Sequence, residues 1–545
     1  MDYIQQATEI FEWLSSFQID QPPIAGTLIG NRLTFNLQIP GRGEVKVDMP
    51  LPEEKYFLCH GIGMKIFLKK NGNFVLDCYD DGGIFDEIDN SIPGTHYATT
   101  HFALLGAILF TIKQDDQILL RVKRAIKFHL RTLVDEYRFD SWYYHWDFKN
   151  YAFLETYYLL QNNLTDDEKN EWQRALKKTR ENIDNRLTNW LAMRTYFVCL
   201  RYQLFKKFTD KVKYEIRKRN LFRARLSDGS FDDQKKVSRV IQYHIYTTAL
   251  LHRIYQITKK VTIKNKFIEG VNYFLQFVDP EGGFNYLGRG QQQIFGYAAA
   301  IYALEAAKKV DPKNAVVYQY YLNRLNSCLY FYKRDKHFPL VLNNRNDKEK
   351  FGWYDYHHLT VYNAFLGAWL GLTALLKTVT LNESKPNFPK IKVSIPSQVA
   401  FIRNENIFIS IFGGLPEYLT EAGLTIQHLW FSDVGVFFSC PGGASKEKFG
   451  KTVDVENIER NCFAPIALTK KNELIIPALK RGKVNRVNKS SVLASLDYGP
   501  FFVERLINVK NEGAYITDVI TVLKDDEYSE FRFINVPINL SLIHI

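Results

Sequence analysis

Tyrosine, histidine and asparagine side chains near the starts of helical stretches are the groups in this chain best suited to proton transfer. The strongest such segment is Asp228-Gly229-Ser230-Phe231 followed by Gln242-Tyr243-His244-Ile245-Tyr246, which opens a helix reaching Ile257. A tyrosine hydroxyl titrates at about 10 and acts as general acid or base once a cation or hydrogen-bond network lowers that value. Arg239 lies four residues before Tyr243, on the same helix face. His244 projects about 100° away, so the two need not share a task. The same pattern also suits partly buried helix residues with satisfied polar tips.

Asn285-Tyr286-Leu287-Gly288-Arg289-Gly290-Gln291-Gln292-Gln293 opens another helix. Glycines on either side of Arg289 let backbone and guanidinium approach a ligand, and the guanidinium fork matches a carboxylate. A helix N-terminus favours an anion as well, and the alternative is an Arg that caps and locks its loop. Gly352-Trp353-Tyr354-Asp355-Tyr356-His357-His358 leads into a third helix, where adjacent histidines must face different ways. Trp142-Tyr143-Tyr144-His145-Trp146-Asp147-Phe148-Lys149-Asn150-Tyr151 has the aromatic and polar mixture of a sugar subsite, or of helix packing. His96-Tyr97 with His101 is more often a structural pattern. No H-x-x-x-H or H-E-x-x-H occurs, so no metal is expected. Phosphate-binding G-x-x-x-x-G-K-[ST], a dinucleotide fingerprint and a G-x-S-x-G elbow are absent too.

Elements that could hold these residues together are announced by a recurring loop. Asp80-Asp81-Gly82-Gly83-Ile84-Phe85, Phe139-Asp140-Ser141-Trp142, Asp228-Gly229-Ser230-Phe231, Asp279-Pro280-Glu281-Gly282-Gly283-Phe284 and Asp335-Lys336-His337-Phe338 are each an acidic turn closed by an aromatic. They begin roughly 50 to 90 residues apart, the length of a helical hairpin with variable loops, so one supersecondary unit is repeated. Such loops should gather at one rim, where binding residues sit on a rigid scaffold. Helical periodicity covers 95–113, 115–136, 147–162, 166–181, 187–208, 237–257, 262–277, 291–308, 313–332 and 355–377, enough for five or six hairpins. Before it, an amphipathic helix over 1–17 precedes short alternating runs between Gly26 and Tyr79, a small antiparallel sheet. After the linker Lys385 to Pro396, runs such as 407–412, 435–439, 501–506 and 514–522 predict an antiparallel sandwich. The expected organisation is residues 1–90, 91–380 and 381–545, with the last unit expected to be incomplete.

The 545 residues are 46% hydrophobic and unusually aromatic, with 32 Tyr and 40 Phe, which suits both large helical cores and a sugar-binding cleft. A net charge of +12 favours an acidic partner. The densest basic run, Lys206 to Arg225, is spaced as a solvated helix face. Six scattered cysteines form no C-x-x-C pair and are read as buried thiols. The N-terminus lacks a secretion signal, so a cytoplasmic location is expected, or a periplasmic or secreted one if the true start is missing. The longest apolar stretches fall short of a membrane span. Oligomeric state is not legible.

The order of parts resembles the heparinase II/III-like polysaccharide lyases, an (α/α) toroid followed by an antiparallel β-sandwich. At the motif level, Asp228-Gly229-Ser230-Phe231 through Tyr243-His244-Ile245-Tyr246 is similar to the family's Asp-Gly-Ser turn and Tyr-His helix. The resemblance implies an α+β multidomain protein, a toroid of helical hairpins plus a C-terminal sandwich and a small N-terminal β element. It implies β-elimination on an acidic, uronic-acid-containing polysaccharide, with no cofactor, metal or nucleic-acid partner. Tyr243 supplies proton transfer, with His244, His357 and His358 as further acid-base candidates. Arg289, Asn150, His145, Gln291, Tyr356 and Trp142 are the substrate-binding candidates. The family pairs an Asn with a His to neutralise the uronate. Asn150 is followed here by Tyr151, so His145 or one of His357-His358 takes the imidazole's place. Two other readings stand beside it: an (α/α) glycoside hydrolase using a carboxylate pair among Asp81, Asp232, Asp233 and Asp355, and a non-catalytic glycan-binding or assembly protein.

Overall fold

A computed structural model of the chain describes all residues other than 1, 69–73, 87–95, 135–144, 180–186, 234–239, 289, 291–292, 341, 343–357, 387–389, 414–424, 440–464, 470–473, 476–481, 498–500, 511–512, 524–527 and 534–545. The first helix, α1 (Tyr3–Ser15), begins where the Asp2 carboxylate accepts the Ile4 and Gln5 amides at 2.9 and 3.0 Å. Strands β1 (Ile24–Ile29), β2 (Arg32–Ile39), β3 (Gly43–Pro50), β4 (Tyr56–Cys59), β5 (Ile62–Leu68) and β6 (Phe74–Cys78) form an antiparallel sheet ordered β3-β2-β1-β6-β5-β4. Its alternating residues, among them Leu33, Phe35, Leu37, Ile62, Met64 and Leu76, make a small separate core.

Among the described residues eleven α-helices follow: α2 (Ala98–Lys113), α3 (Asp116–Val134), α4 (Trp146–Leu160), α5 (Asp166–Lys177), α6 (Thr188–Phe205), α7 (Phe208–Arg223), α8 (Ile241–Thr258), α9 (Val261–Phe274), α10 (Ile294–Val310), α11 (Ala315–Phe331) and α12 (Leu359–Ala374). The even-numbered helices pack each on the next, and α12 returns to α2, so six inner helices close a ring. Their composition demands this. Helices α2, α10 and α12 are apolar almost all round and buried along nearly their whole length, a state reachable only with neighbours on every side. The outer helices are amphipathic by contrast: α5 buries only Trp172, Ala175 and Leu176, and α7 only Asp210, Tyr214 and Leu221. The basic run of the sequence is the solvated face of α7, with Lys211, Lys213 and Arg219 exposed.

Five outer helices each back the inner helix before them, leaving α12 without a partner from its own hairpin. Helix α1 fills that place, lying against α12 and α2 through Ile10 and through Phe11, whose ring stacks on Phe102 at 4.6 Å. Although sequence places α1 beside the N-terminal sheet, it is the twelfth helix of a sixfold (α/α) toroid.

Strands β7 (Ile391–Ser394), β8 (Val399–Arg403), β9 (Ile407–Phe412), β10 (Thr425–Phe431) and β11 (Gly435–Ser439) form an antiparallel sheet. It faces the meander β14 (Lys483–Arg486), β15 (Ser491–Asp497), β16 (Phe501–Val509) and β17 (Ala514–Val522). A third sheet contains β12 (Pro465–Thr469), β13 (Leu474–Ile475) and β18 (Tyr528–Phe533). Period-two alternation splits β9: Ile407, Ile409 and Ile411 enter the sandwich core with Val492, Phe501 and Val503, while Phe408 and Phe412 join the toroid's core. Strands β8 and β9 are thus buried on both faces.

The recurring acidic turns have a different purpose from the one expected of a binding rim. Gly82, Gly229 and Gly282 have φ of +89°, +95° and +95°. A Cβ there would lie 2.4, 2.8 and 2.2 Å from the carbonyl oxygens of Arg124, Glu269 and Arg324, on the outer helices α3, α9 and α11. Each turn therefore seats its backbone on an outer helix, and the following Ile84, Phe231 or Phe284 is buried as a plug. The acids bind elsewhere in the chain. Asp80 accepts the Gly63 amide of the N-terminal sheet at 2.7 Å, Asp228 accepts from the Ser394 hydroxyl, and Asp279 accepts from His428 at 2.8 Å. Trp430 adds a 3.0 Å bond to Glu281. These turns are the clamps between helices and sheets. The copy at 139–142 lies outside the described residues.

Gly282→Ala combines a left-handed backbone with a backbone clash, and should cost about 3 kcal/mol or more in chemical denaturation. Gly43→Ala, with φ +82° but nothing within 4 Å of the added Cβ, should cost only about 1–2 kcal/mol. Equal losses would show that conformation alone, without the seat on α11, accounts for the turn.

Candidate active site at the mouth of the toroid

Closure of the ring puts the N-termini of all six inner helices at one end. Rings from their first turns touch around it: Tyr97 with Phe148 at 4.3 Å, Phe148 with Tyr246 at 6.0 Å, Tyr243 with Phe295 at 5.8 Å, and Phe295 with Tyr362 at 6.4 Å. Deeper, Phe295, Phe365, Tyr246, Tyr151 and Trp369 form an aromatic floor.

Its electrostatics follow from where acids are missing. Helices α2, α6, α8, α10 and α12 have no acidic residue in the first turn, and α4 has only Asp147. None of the six N-cap side chains caps its own helix. Outer helices α5 and α7 start with acids in the usual way. Six helix N-termini therefore point partial positive charge at one place. Two acids are tied down there. Asp147 binds Arg194 of α6 at 2.9 Å with both side chains buried, and Asp86 accepts the Thr360 amide and hydroxyl at 2.7 and 2.8 Å at the start of α12.

Three imidazoles meet at this rim. His96, just before α2, lies 3.5 Å ring to ring from His358, the N-cap of α12, and 5.0 Å from His145, the N-cap of α4. Burial, then the neighbouring His358, His145 and Lys149, pushes His96 well below the usual histidine range, so it stays neutral. Lys149 lies over the Trp146 ring at 4.9 Å, one position before the buried Asn150 on α4. Among the described residues no three His, Cys, Asp or Glu side chains are arranged to share a metal ion. Opposite, Asn285 donates to Gln242 at 3.3 Å and to the Gly290 carbonyl at 3.0 Å. The fully buried Gln293 side-chain amide has no hydrogen-bond partner among the described residues.

Of the sequence candidates, Tyr243, Asn150, His145 and His358 all stand at the mouth. Arg289, Gln291, Tyr356, His357 and Trp142 lie outside the described residues, although Gly290 packs against Gln242, next to Tyr243. For His244 the expectation of acid-base work is corrected. It faces away from the mouth, its Nδ1 accepting the Phe231 amide at 3.2 Å and its Nε2 donating to the Gly270 carbonyl at 2.9 Å. Both nitrogens are occupied in joining the acidic turn to α8 and α9, and burial pushes its pKa down to about 4. His101 is likewise structural, bonded to the Tyr97 carbonyl at 3.0 Å and the Tyr151 hydroxyl at 2.6 Å. His96, Lys149 and the Asp147–Arg194 pair gain their place only from ring closure. The shared signal was a polar residue within a turn of each inner helix start.

No family model matches the chain and no curated protein matches it. Solved structures that resemble it include a heparan sulfate lyase from Pedobacter heparinus (10% identity, 78% of this chain and 62% of that one, TM-score 0.45). A polysaccharide lyase is also similar (14%, 52% and 92%, TM-score 0.40), as is an α-1,6-mannanase from Salegentibacter sp. HEL1_6 (11%, 57% and 96%, TM-score 0.42). Likenesses this distant carry no argument about chemistry, and the toroid stands on the chain's own helix packing.

His244→Gln should destabilise the protein by about 2 kcal/mol at pH 7, because buried bonds to Phe231 and Gly270 are lost. A histidine held at about 4 when folded and near 6.5 when unfolded contributes stability above pH 6.5 that is lost as pH falls through 4. The gap between wild type and variant, followed by denaturation, should therefore narrow across that window. A gap independent of pH would show that His244 is not a neutral lock.

Proposed function

We propose that the protein is a polysaccharide lyase that cleaves an acidic, uronic-acid-containing glycan by β-elimination at the mouth of the toroid. One observation carries the reading: neutral and cationic nitrogen groups, with Tyr243 and Asn150, gather where six helix N-termini converge. Lys149, Asn150 and His145 bind the uronate carboxylate, and the helix ends add positive potential. Delocalising charge onto that carboxylate acidifies the C5 proton. His358 takes the C5 proton as the C5–H electrons form the C4=C5 double bond and the C4–O bond breaks. The Tyr243 hydroxyl protonates the departing oxygen. Atoms balance without a redox or nucleotide cofactor.

A hydrolase reading requires two carboxylates facing a sugar. Asp147 and Asp86 are engaged as described above, Asp81 is paired with Arg124 at 2.7 Å, and Asp355 lies outside the described residues. Asp232 and Asp233, as buried as Tyr243 and Asn150, are the pair on which a hydrolase would rest.

Incubation with a panel of polyuronates and sulfated uronate glycans should raise ultraviolet absorbance from the conjugated product. Tyr243→Phe and His358→Ala should each lower kcat by about 100-fold or more while the fold is retained. New reducing ends without absorbance would assign hydrolysis instead. Binding across the panel without turnover would assign a non-catalytic glycan-binding protein.

A further inference from the structure

A second concavity lies on the far side of α8 from the mouth, between the outer wall of the toroid and the β-sandwich. It encloses about 640 Å³ and is bounded by the Arg225–Asp228 turn, by Lys266, Glu269 and Tyr273 of α9, and by Lys392 of β7 and Arg403 of β8. That volume holds a sugar unit or two. Four cations face two acids across it, and both acids have other work. Glu269 is ion-paired to Arg225, and Asp228 accepts from the Ser230 amide and hydroxyl and from Ser394. Four cations against two carboxylates leave a net excess of two positive charges, and because Arg403 donates to the Gln276 carbonyl and lies over Phe408, Lys266 and Lys392 are the cations best placed to meet a ligand. Lys392 is exposed on its strand, while Lys266 is half-buried with its ammonium 5.0 Å from the Phe222 ring centre. Asn272 and Gln276 add amides suited to hydroxyl groups, and Tyr273 presents an aromatic edge.

We propose that this cleft is an accessory subsite for a carboxylate- or sulfate-bearing saccharide unit of the polymer whose cleavable bond lies at the mouth. It rests on the acidic-glycan reading above. The cleft is separated from Tyr243 by the width of α8, about 10 Å. Tyr273, which lines the cleft, packs its ring 4.9 Å from His244, the neighbour of Tyr243, and the Asp228–Phe231 turn borders the cleft while its Phe231 amide bonds His244. Lys266 and Lys392, which have no acid partner among the described residues, keep most of their Coulomb attraction for a ligand in a preformed cleft, whereas a surface pair would spend it on each other.

The test uses the full chain carrying Tyr243→Phe, so that substrate is not consumed, with tetrasaccharides of polygalacturonate and of heparin as anionic probes and cellotetraose as the neutral one. Hydrogen exchange locates binding, and the expected result is anion-dependent protection of segments 225–229 and 264–276. Adding Lys266→Gln and Lys392→Gln should raise the dissociation constant read at those segments by at least about tenfold. Both substitutions keep size and face solvent, and unchanged thermal unfolding confirms the fold. Protection that survives the double substitution, equal protection by cellotetraose, or none from either anionic probe overturns the subsite. Should the otherwise unaltered protein release no unsaturated product while cleft protection still depends on the lysines, the elimination reading fails and the subsite stands. Absorbance without cleft protection gives the converse.

Discussion

Ring closure is the constraint on which the rest of this structure depends. An inner helix such as α10, with Ala298, Ala299, Ala300, Ala303, Ala306 and Ala307 all fully buried, has no polar face to give to water. It is stable only between two inner neighbours and one outer helix. Six such helices close without an edge, and because each is joined to the next through an outer helix, all six run the same way. The gathering of N-termini at one mouth is thus a geometric result of hydrophobic burial. No local sequence had to select it. The same constraint explains why the chain's first helix is spent on closing the sixth pair through Ile10, Phe11 and Leu14, far in sequence from α12.

Attachment of the sheets follows from the turns between hairpins. A chain leaving an outer helix must reverse over a short distance against the next outer helix, and a glycine at positive φ lets the backbone lie on that helix's carbonyls. The acid at the head of the turn is then held at the surface of the ring with its lone pairs directed outward. Ser394, His428 and the Gly63 amide meet those lone pairs. Buried contacts of this kind are costly to leave unmade, which gives the interface specificity beyond what the phenylalanines of β8 and β9 provide by area.

Much of this was legible from the residues, and the misses have physical causes. Period 3.6 and period 2 identify the helical and sheet halves, since burial geometry is written directly into spacing. Helix α7 was visible only as a basic face, because just Asp210, Tyr214 and Leu221 turn inward. The recurrence of Asp-Gly-aromatic turns was evident, but a clamp and a binding loop have the same composition until the partner across the turn is known. His244 illustrates the limit most sharply: adjacent to Tyr243 in sequence, it lies on the opposite side of α8, and only the Gly270 carbonyl reveals what its ring does. His96 was undervalued for the reverse reason, since His358, its contact, is 262 residues away in the chain.

The charge balance at the mouth favours neutral bases over charged ones. Each helix end contributes roughly half a positive charge, and Lys149 adds a full one beside His96. A protonated imidazole at His96 would add to an already positive field in a buried place, so burial and that field hold His96 neutral. Acids that could have relieved the field are spent: Asp147 on Arg194 and Asp86 on the start of α12. The elimination proposed for this protein would draw a sugar carboxylate into that field, so that one arrangement of helix ends would bind the substrate and stabilise the charge that develops on it.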